Sequence, residues 1–201
     1  LPIYGVTDDT QALQDALASL GGNGGLIIVP VGEYLYNQTL TIGYGQTILG
    51  VGNTDASTLL YNGTGSAVDV DSGGTLKQIR VRKWHDGWDG WNPASPISGV
   101  RMVGNQGRVE DIYIQGFEIG LHFIGAGKGC AYNQAFLRFI RNCLVAIKLD
   151  ATNDGWVNEN SIYGGRITVD SNYQDATWDA ESWGIYRSEE RRVGKECRSR
   201  W

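Results

Sequence analysis

The fold is decided by three adjoining stretches, G-V-T-D-D-T-Q-A-L-Q-D-A-L (5–17), G-G-N-G-G (21–25) and L-I-I-V-P-V-G-E-Y (26–34). Asp8, Asp9 and Thr10 favour a helix start, because such side chains cap backbone N–H groups and their carboxylates suit the positive end of the helix dipole. Leucines follow at helical spacing, the glycines end the helix, and the apolar run 26–29 predicts a strand. Residues 1–25 are therefore predicted to be a capping helix segment that hides the first edge of a stack of strands.

Two internal echoes predict what this helix caps. Residues 114–121 (I-Q-G-F-E-I-G-L) match 140–147 (I-R-N-C-L-V-A-I) at a spacing of 26, and residues 99–102 (G-V-R-M) match 120–123 (G-L-H-F) at a spacing of 21. Such periods are typical of a parallel β-helix with one coil per repeat. A β-sandwich would use similar strands but would not predict the echoes. We therefore expect an all-β, right-handed, single-stranded parallel β-helix (solenoid) over residues 26–186, with the N-terminal capping α-helix.

The last fifteen residues, R-S-E-E-R-R-V-G-K-E-C-R-S-R-W (187–201), differ from the rest in composition. They hold six Lys and Arg and three Glu, with no strand periodicity. The segment resembles a translated short-read sequencing adapter, so we treat it as a non-native tail and expect the coils to be truncated at this join. The alternative is a basic, disordered tail that touches nucleic acid or membrane.

Composition excludes several kinds of partner. The chain has 17 basic and 22 acidic residues, and without the tail its net charge is close to −8. An acidic body argues against nucleic acid and anionic membranes as partners. Cys130 and Cys143 lack metal-ligand spacing and are expected to be buried thiols rather than a disulfide. No apolar stretch is long enough to cross a bilayer, and the sequence predicts no cofactor and no metal.

The most suggestive surface segment is K-W-H-D-G-W-D-G-W-N-P (83–93). Exposed indoles mark recognition surfaces, and their faces stack on sugar rings. We therefore expect Trp84, His85, Trp88 and Trp91 to bind substrate. The alternative is that the tryptophans fold back as a hydrophobic plug or pack against another subunit.

Paired carboxylates are the candidate catalytic groups. Residues i and i+2 on a strand lie about 6.6 Å apart on one face, and carboxylates about 6.5–9.5 Å apart suit an inverting glycosidase. Asp69 and Asp71 meet this spacing if Val68 and Val70 face the core, and a solvated strand face is the alternative. The loop carboxylates Asp86 and Asp89 form a second candidate set.

Other polar residues are expected to be structural. His122 is expected to be a hydrogen-bonded residue on the sheet. Glu110, Asp111 and Glu118 are expected to be solvated, although Glu118 could line a groove. The asparagines are expected to form ladders that satisfy turn backbone groups, namely Asn133, Asn142, Asn158 and Asn160.

The G-V-T-D-D-T opening (5–10), V-P-V-G-E-Y (29–34) and N-E-N-S-I-Y-G-G-R (158–166) together resemble the pectate-lyase superfamily, including bacteriophage tail spikes and rhamnogalacturonase- or epimerase-like proteins. The resemblance implies an extracellular or virion-associated homotrimer that binds a polysaccharide and degrades it as a hydrolase or lyase. Calcium would enter only if the chain is a lyase. The alternative is a non-catalytic shaft or receptor-binding adhesin module, because this fold serves both.

Overall fold

The computed structural model describes residues 7–84 and 95–168, and the backbone of residues 183–188. These residues form an α-helix, a short 3-10 turn at Gly21–Asn23 and seventeen strands. In chain order the elements are α1 (Thr10–Ser19), β1 (Gly25–Val29), β2 (Gly32–Tyr36), β3 (Leu40–Ile42), β4 (Gln46–Gly50), β5 (Ser57–Tyr61), β6 (Val68–Val70), β7 (Thr75–Lys77), β8 (Arg80–Lys83), β9 (Ser98–Met102), β10 (Arg108–Gln115), β11 (Ile119–Ala126), β12 (Gly129–Ala131), β13 (Gln134–Arg141), β14 (Val145–Thr152), β15 (Trp156–Asn158), β16 (Ser161–Thr168) and β17 (Trp183–Ser188).

The strands form three sheets, and every strand pair among the described residues is parallel. The nine-stranded sheet contains β1, β2, β4, β5, β7, β8, β10, β13 and β16. The six-stranded sheet runs β17-β14-β11-β9-β6-β3, and β12 pairs with β15 in a third. The chain therefore returns to the same sheets in the same order. The protein is mostly β, with parallel sheets that curl around a shared core.

Both sequence echoes are confirmed as neighbouring strands. Ile114 lies opposite Ile140 in the nine-stranded sheet, and Leu121 lies opposite Ile147 in the six-stranded sheet. The shorter echo is also in register, since Val100 lies opposite Leu121. The segments that resemble each other in sequence are therefore neighbouring strands that pack side by side.

Alternation along the six-stranded sheet separates its two faces. Val68 and Val70 of β6 are fully buried in the core, as predicted, and Val100 and Met102 of β9 stack beside them. Because successive side chains of a strand point to opposite faces, the residues between these apolar positions face outward. This outer face holds the charged side chains described below.

The helix α1 packs against β3, the edge strand of the six-stranded sheet. Leu17 reaches the core, while Gln14 donates from Nε2 to the backbone oxygen of Thr39 at 2.9 Å. Asp9 is the N-cap residue of α1, but its side chain makes no capping hydrogen bond. Asp8, one residue earlier, accepts from the Thr10 N–H through Oδ1 at 2.9 Å, so the predicted structural role is seen for Asp8 and not for Asp9 as a side-chain cap.

Pairs of strands in the nine-stranded sheet are joined by a corner whose length varies along the chain. Two residues (30–31) separate β1 from β2, six (51–56) separate β4 from β5, and two (78–79) separate β7 from β8. In β10 the strand passes through the corner unbroken, pairing with β7 before Asp111 and with β8 after it. Asp111 makes this bend with a left-handed φ of 51°.

The predicted asparagine ladder is present at one turn. Asn133, which is buried, donates from Nδ2 to Asn160 Oδ1 at 2.8 Å and to the Gly104 oxygen at 2.9 Å, and its Oδ1 accepts from the Gly107 N–H at 2.6 Å. The amide thus satisfies backbone groups that the turn would otherwise leave without partners.

Cys130 and Cys143 are buried free thiols, as predicted. Burial raises the pKa of each thiol to about 12. Both cysteines therefore behave as core residues in the native protein.

Candidate functional site

A row of ionisable side chains crosses four neighbouring strands on the outer face of the six-stranded sheet. Asp69 lies opposite Arg101, Arg101 opposite His122, and His122 opposite Lys148. Neighbouring strands are about 4.8 Å apart, so the row spans about 14 Å. We call these four residues the charged row.

Asp69 is held at one end of the charged row by three hydrogen bonds. Arg101 donates from Nε to Oδ1 at 2.8 Å and from a terminal nitrogen to Oδ2 at 2.5 Å. Ser66 donates its hydroxyl to Oδ1 at 2.6 Å. The hydrogen bond to Asp69 raises the pKa of Arg101, against the opposing effect of burial. Asp69 is therefore a carboxylate that is held in a fixed position by its ion pair with Arg101.

His122 lies in the middle of the charged row and is only 6% exposed. Its Nδ1 is 3.1 Å from the Ser98 hydroxyl, which confirms the expected hydrogen-bonded histidine. Its Nε2 is buried without a hydrogen-bond partner, because Asp150 Oδ2 is 3.7 Å away, beyond direct hydrogen-bond reach. Asp150 also binds Lys148 Nζ at 2.8 Å.

The surroundings favour a neutral imidazole. Burial lowers the pKa of His122, and the nearby Lys148 and Arg101 cations also lower it. Asp150 has the opposite effect and raises it, but the pKa remains below its ordinary value. The Ser98 hydroxyl can donate to Nδ1 or accept from it, so Nε2 can act as a donor or as an acceptor. Among the buried side-chain atoms of the charged row, this nitrogen is the one that has no hydrogen-bond partner in the described structure.

Asp71, the second predicted carboxylate, lies in the turn after β6. Its Oδ1 accepts from the Ser72 N–H at 2.7 Å and lies 3.3 Å from Lys128 Nζ. Asp69 and Asp71 thus have different cationic partners. Their role as an acid and base pair remains a prediction.

The predicted tryptophan platform is described only at its first member. Trp84 is half-buried, and its backbone N–H donates to the Tyr61 oxygen at 2.7 Å. The other predicted site residues of this segment lie outside the described residues, namely His85, Asp86, Trp88, Asp89 and Trp91.

Glu118 differs from the solvated residue expected from the sequence, since it is 1% exposed. Its Oε1 lies 2.8 Å from Lys83 Nζ, and its Oε2 accepts from the Ile97 N–H at 3.3 Å. It sits where the chain passes from β10 to β11, and the ion pair with Lys83 accounts for its burial.

Sequence reasoning overlooked Arg101, Lys148 and Asp150 as members of this face. A signal for the first two was present, because the 21- and 26-residue echoes align Arg101 with His122 and His122 with Lys148. The same alignment carries no information on the contact between Asp150 and Lys148, which depends on side-chain conformation.

The described residues contain neither a cluster of metal ligands nor a helix that could cross a membrane. Within residues 7–84 and 95–168, three or more His, Cys, Asp or Glu side chains do not come together as metal ligands. No helix in the described part of the chain has the length and apolarity needed to cross a membrane.

Comparison with known proteins gives little further information. The sequence matches no family model and no curated protein. A solved structure from Parabacteroides merdae, described as a "putative glycosyl hydrolase", is 11% identical, with 83% of this chain and 90% of that chain covered and a TM-score of 0.28. A likeness this remote decides neither the fold nor the function of this chain.

Proposed function

We propose that this chain is a right-handed parallel β-helix that binds a polysaccharide along the outer face of its six-stranded sheet and cleaves it as a hydrolase or lyase. The parallel registers and the repeated return to the same sheets support the helix, and crossover connections between parallel strands are almost always right-handed. The sequence resemblance supports an extracellular or virion-associated homotrimer as its setting.

The observation that carries the proposal is the unused Nε2 of His122 at the centre of the charged row. Buried polar atoms normally have partners, and one without a partner calls for an explanation. A sugar hydroxyl is a donor and an acceptor and would satisfy this nitrogen in either tautomer, provided that binding uncovers Nε2, which is buried in the free protein. A row about 14 Å long matches a chain-like ligand better than a compact one.

His122 and Asp150 together suit proton transfer. A neutral imidazole can take a proton at Nε2, and Asp150 at 3.7 Å would stabilise the imidazolium that forms. Asp69, Asp71, Asp86 and Asp89 remain the proposed carboxylates, and Trp84, His85, Trp88 and Trp91 the proposed sugar platform. If the reaction is an elimination, calcium could neutralise a substrate carboxylate, with no ligands assigned.

A second candidate function is a non-catalytic shaft or receptor-binding module. The bidentate pairing of Asp69 with Arg101 favours this non-catalytic function, because a carboxylate that is fully engaged by a cation is typical of structural ion pairs. The same face would then bind a polysaccharide without changing it.

Cleavage assays on a panel of acidic and neutral polysaccharides separate the two candidates. New reducing ends indicate hydrolysis, and absorbance of unsaturated uronates indicates elimination. We expect His122→Gln and Asp69→Asn to lower cleavage at least about tenfold, as for loss of a proton-transfer group. Glu110→Gln, on the other sheet, is the matched control. Cleavage that survives His122→Gln, Asp69→Asn and Asp89→Asn unchanged would remove this face as the active site, and binding without cleavage would favour the module.

A further inference from the structure

Four arginines lie near one another on the nine-stranded sheet, in the part of the sheet that lies beyond the bend at Asp111. Arg80 and Arg82 are on β8, Arg141 is on β13, and Arg166 is on β16. We call this surface the arginine face. It belongs to a different sheet from the one that carries the charged row.

Strand alternation places these side chains on the outside of the sheet. Val81 and Ile140 are at most 1% exposed and belong to the core. Successive side chains of a strand point to opposite faces. Arg80 and Arg82, on either side of Val81, therefore point outward, and so does Arg141, which follows Ile140.

Strand register puts two aromatic rings between two of the arginines. Arg80 lies opposite Tyr113 on β10. Phe139 on β13 and Arg166 on β16 follow, each opposite the residue before it. Because neighbouring strands are about 4.8 Å apart, the row spans about 14 Å. The order across the sheet is a cation, two rings and a second cation.

Side-chain contacts hold this row in place. The guanidinium carbon of Arg80 lies 4.8 Å from the centre of the Tyr113 ring, and Arg80 also donates to Gln115 Oε1. The Tyr113 and Phe139 rings are 5.5 Å apart. Tyr113 is buried among these neighbours, whereas Phe139 is half-buried and Arg166 is exposed. A ligand would therefore meet Phe139 and Arg166, with Arg80 fixed beside them by its contact with the tyrosine ring.

The arginine face is positive on a chain of net negative charge. Arg82 lies 3.5 Å from Glu33. Within residues 7–84 and 95–168, Arg80 and Arg166 form no ion pair with a carboxylate. The whole chain has a net charge of −5. Charge of the opposite sign that is gathered on one surface attracts an anionic ligand to that surface.

An acidic polysaccharide fits this order of groups. The planar guanidinium of arginine binds a carboxylate through two hydrogen bonds, and aromatic rings offer an apolar surface to sugar rings. A uronic-acid chain carries carboxylates that are separated by sugar rings, as Arg80 and Arg166 are separated by aromatic rings. Nucleic acid fits less well, because its affinity comes from the neutralisation of many phosphates and the acidic chain repels it.

We propose that the arginine face is a second polysaccharide site, which binds a uronic-acid chain without cleaving it. Because it lies on a different sheet from the charged row, it does not rest on the proposed function. Salt should weaken this binding, since both partners are charged.

Titration calorimetry with alginate, a uronic-acid polymer, tests the site. Arg166→Gln should weaken binding at least about fivefold and Arg166→Glu at least about tenfold, because a charge-assisted contact is lost or replaced by repulsion. Lys128→Gln is the matched control, since it removes another exposed charge and should leave the affinity within about twofold. Dextran, a neutral polymer, should bind at least about tenfold more weakly than alginate. Urea unfolding checks that each variant is folded.

The other outcomes overturn the proposal. Unchanged binding in both Arg166 variants removes the site, and an equal loss in Lys128→Gln shows that binding follows net charge alone. Weaker binding in His122→Gln with unchanged binding in Arg166→Glu places the acidic chain on the charged row.

Two further measurements exclude other occupants of the arginine face. An oligonucleotide that binds as tightly as alginate, and that Arg166→Glu releases, would assign the face to nucleic acid. Sedimentation of the free protein reports contact between copies of the chain. An oligomer that Arg166→Glu dissociates without weakening alginate binding would make the face a subunit interface and overturn the proposal.

Discussion

Arg101 donates two hydrogen bonds to Asp69 on the next strand, one from Nε and one from a terminal nitrogen of the guanidinium. The two residues lie opposite each other in the register of β6 and β9. Because this planar fork matches the carboxylate, the pair fixes both side chains at one end of the charged row.

Breaking this pair should cost stability. Arg101→Met leaves the Asp69 carboxylate, whose side chain is 12% exposed, with Ser66 as its remaining described donor. Because the arginine side chain is 33% exposed, solvent lowers the cost below that of a fully buried pair, to about 2 kcal/mol. Urea unfolding at pH 7 measures it. Lys77→Met, which breaks a surface pair, is the control and should cost less than about 1 kcal/mol; equal losses in the two variants would contradict the expectation.

His122 should make stability depend on pH. Its pKa in the folded protein is lowered, so below the unfolded value of about 6.5 the unfolded chain binds a proton that the native protein resists. The free energy of unfolding should therefore fall as pH drops from about 7.5 to 5.5. His122→Gln should flatten this slope, as measured by urea unfolding across that range. An identical slope in the variant would show that other groups cause the dependence.

Gly125 should not tolerate a side chain. A Cβ at this position of β11 would lie 2.4 Å from the backbone oxygen of Trp156 and 2.7 Å from its nitrogen, and backbone cannot move aside as a side chain can. Gly125→Ala should lower the free energy of unfolding by about 1–3 kcal/mol. Gly22→Ala meets no atom within 4 Å and should change it by less than about 0.5 kcal/mol. Equal thermal midpoints for both variants would contradict this packing.

Cys130 and Cys143 should be unreactive in the native protein. Reactive thiols are deprotonated and accessible, whereas burial raises the pKa of both to about 12. In a Cys197→Ser variant, a thiol reagent at pH 8 should label no cysteine until denaturant is added. Rapid labelling of either one without denaturant would mean that the core opens readily.

The sequence was informative wherever periodicity governs structure. The echo that sets Ile114 against Ile140 predicted strand register, and the alternation around Asp69 predicted which side chains face the core. Both depend only on the repeat length and on the two-residue period of a strand.

Side-chain contacts between residues far apart in the sequence were not predictable in the same way. From the sequence alone, a glutamate between two apolar residues is expected to face solvent. Glu118 is buried instead, and its burial depends on Lys83, which is 35 residues away. The contact of His122 with Ser98, 24 residues away, likewise depends on side-chain conformation. Long-range polar contacts leave no periodic signal, so the candidate site was recovered only in part.

The variable outer corner of the nine-stranded sheet has a practical consequence. Six residues between β4 and β5 and two between β1 and β2 leave the same register, because Gly32 still lies opposite Ser57 and Tyr36 opposite Tyr61. Strand alignment is thus independent of corner length, and Val31 in the two-residue corner between β1 and β2 is 55% exposed. A foreign peptide grafted between Pro30 and Val31 should be displayed on the surface while the parallel strands on either side of it keep their alignment, which makes this corner a suitable attachment point for epitopes or affinity tags.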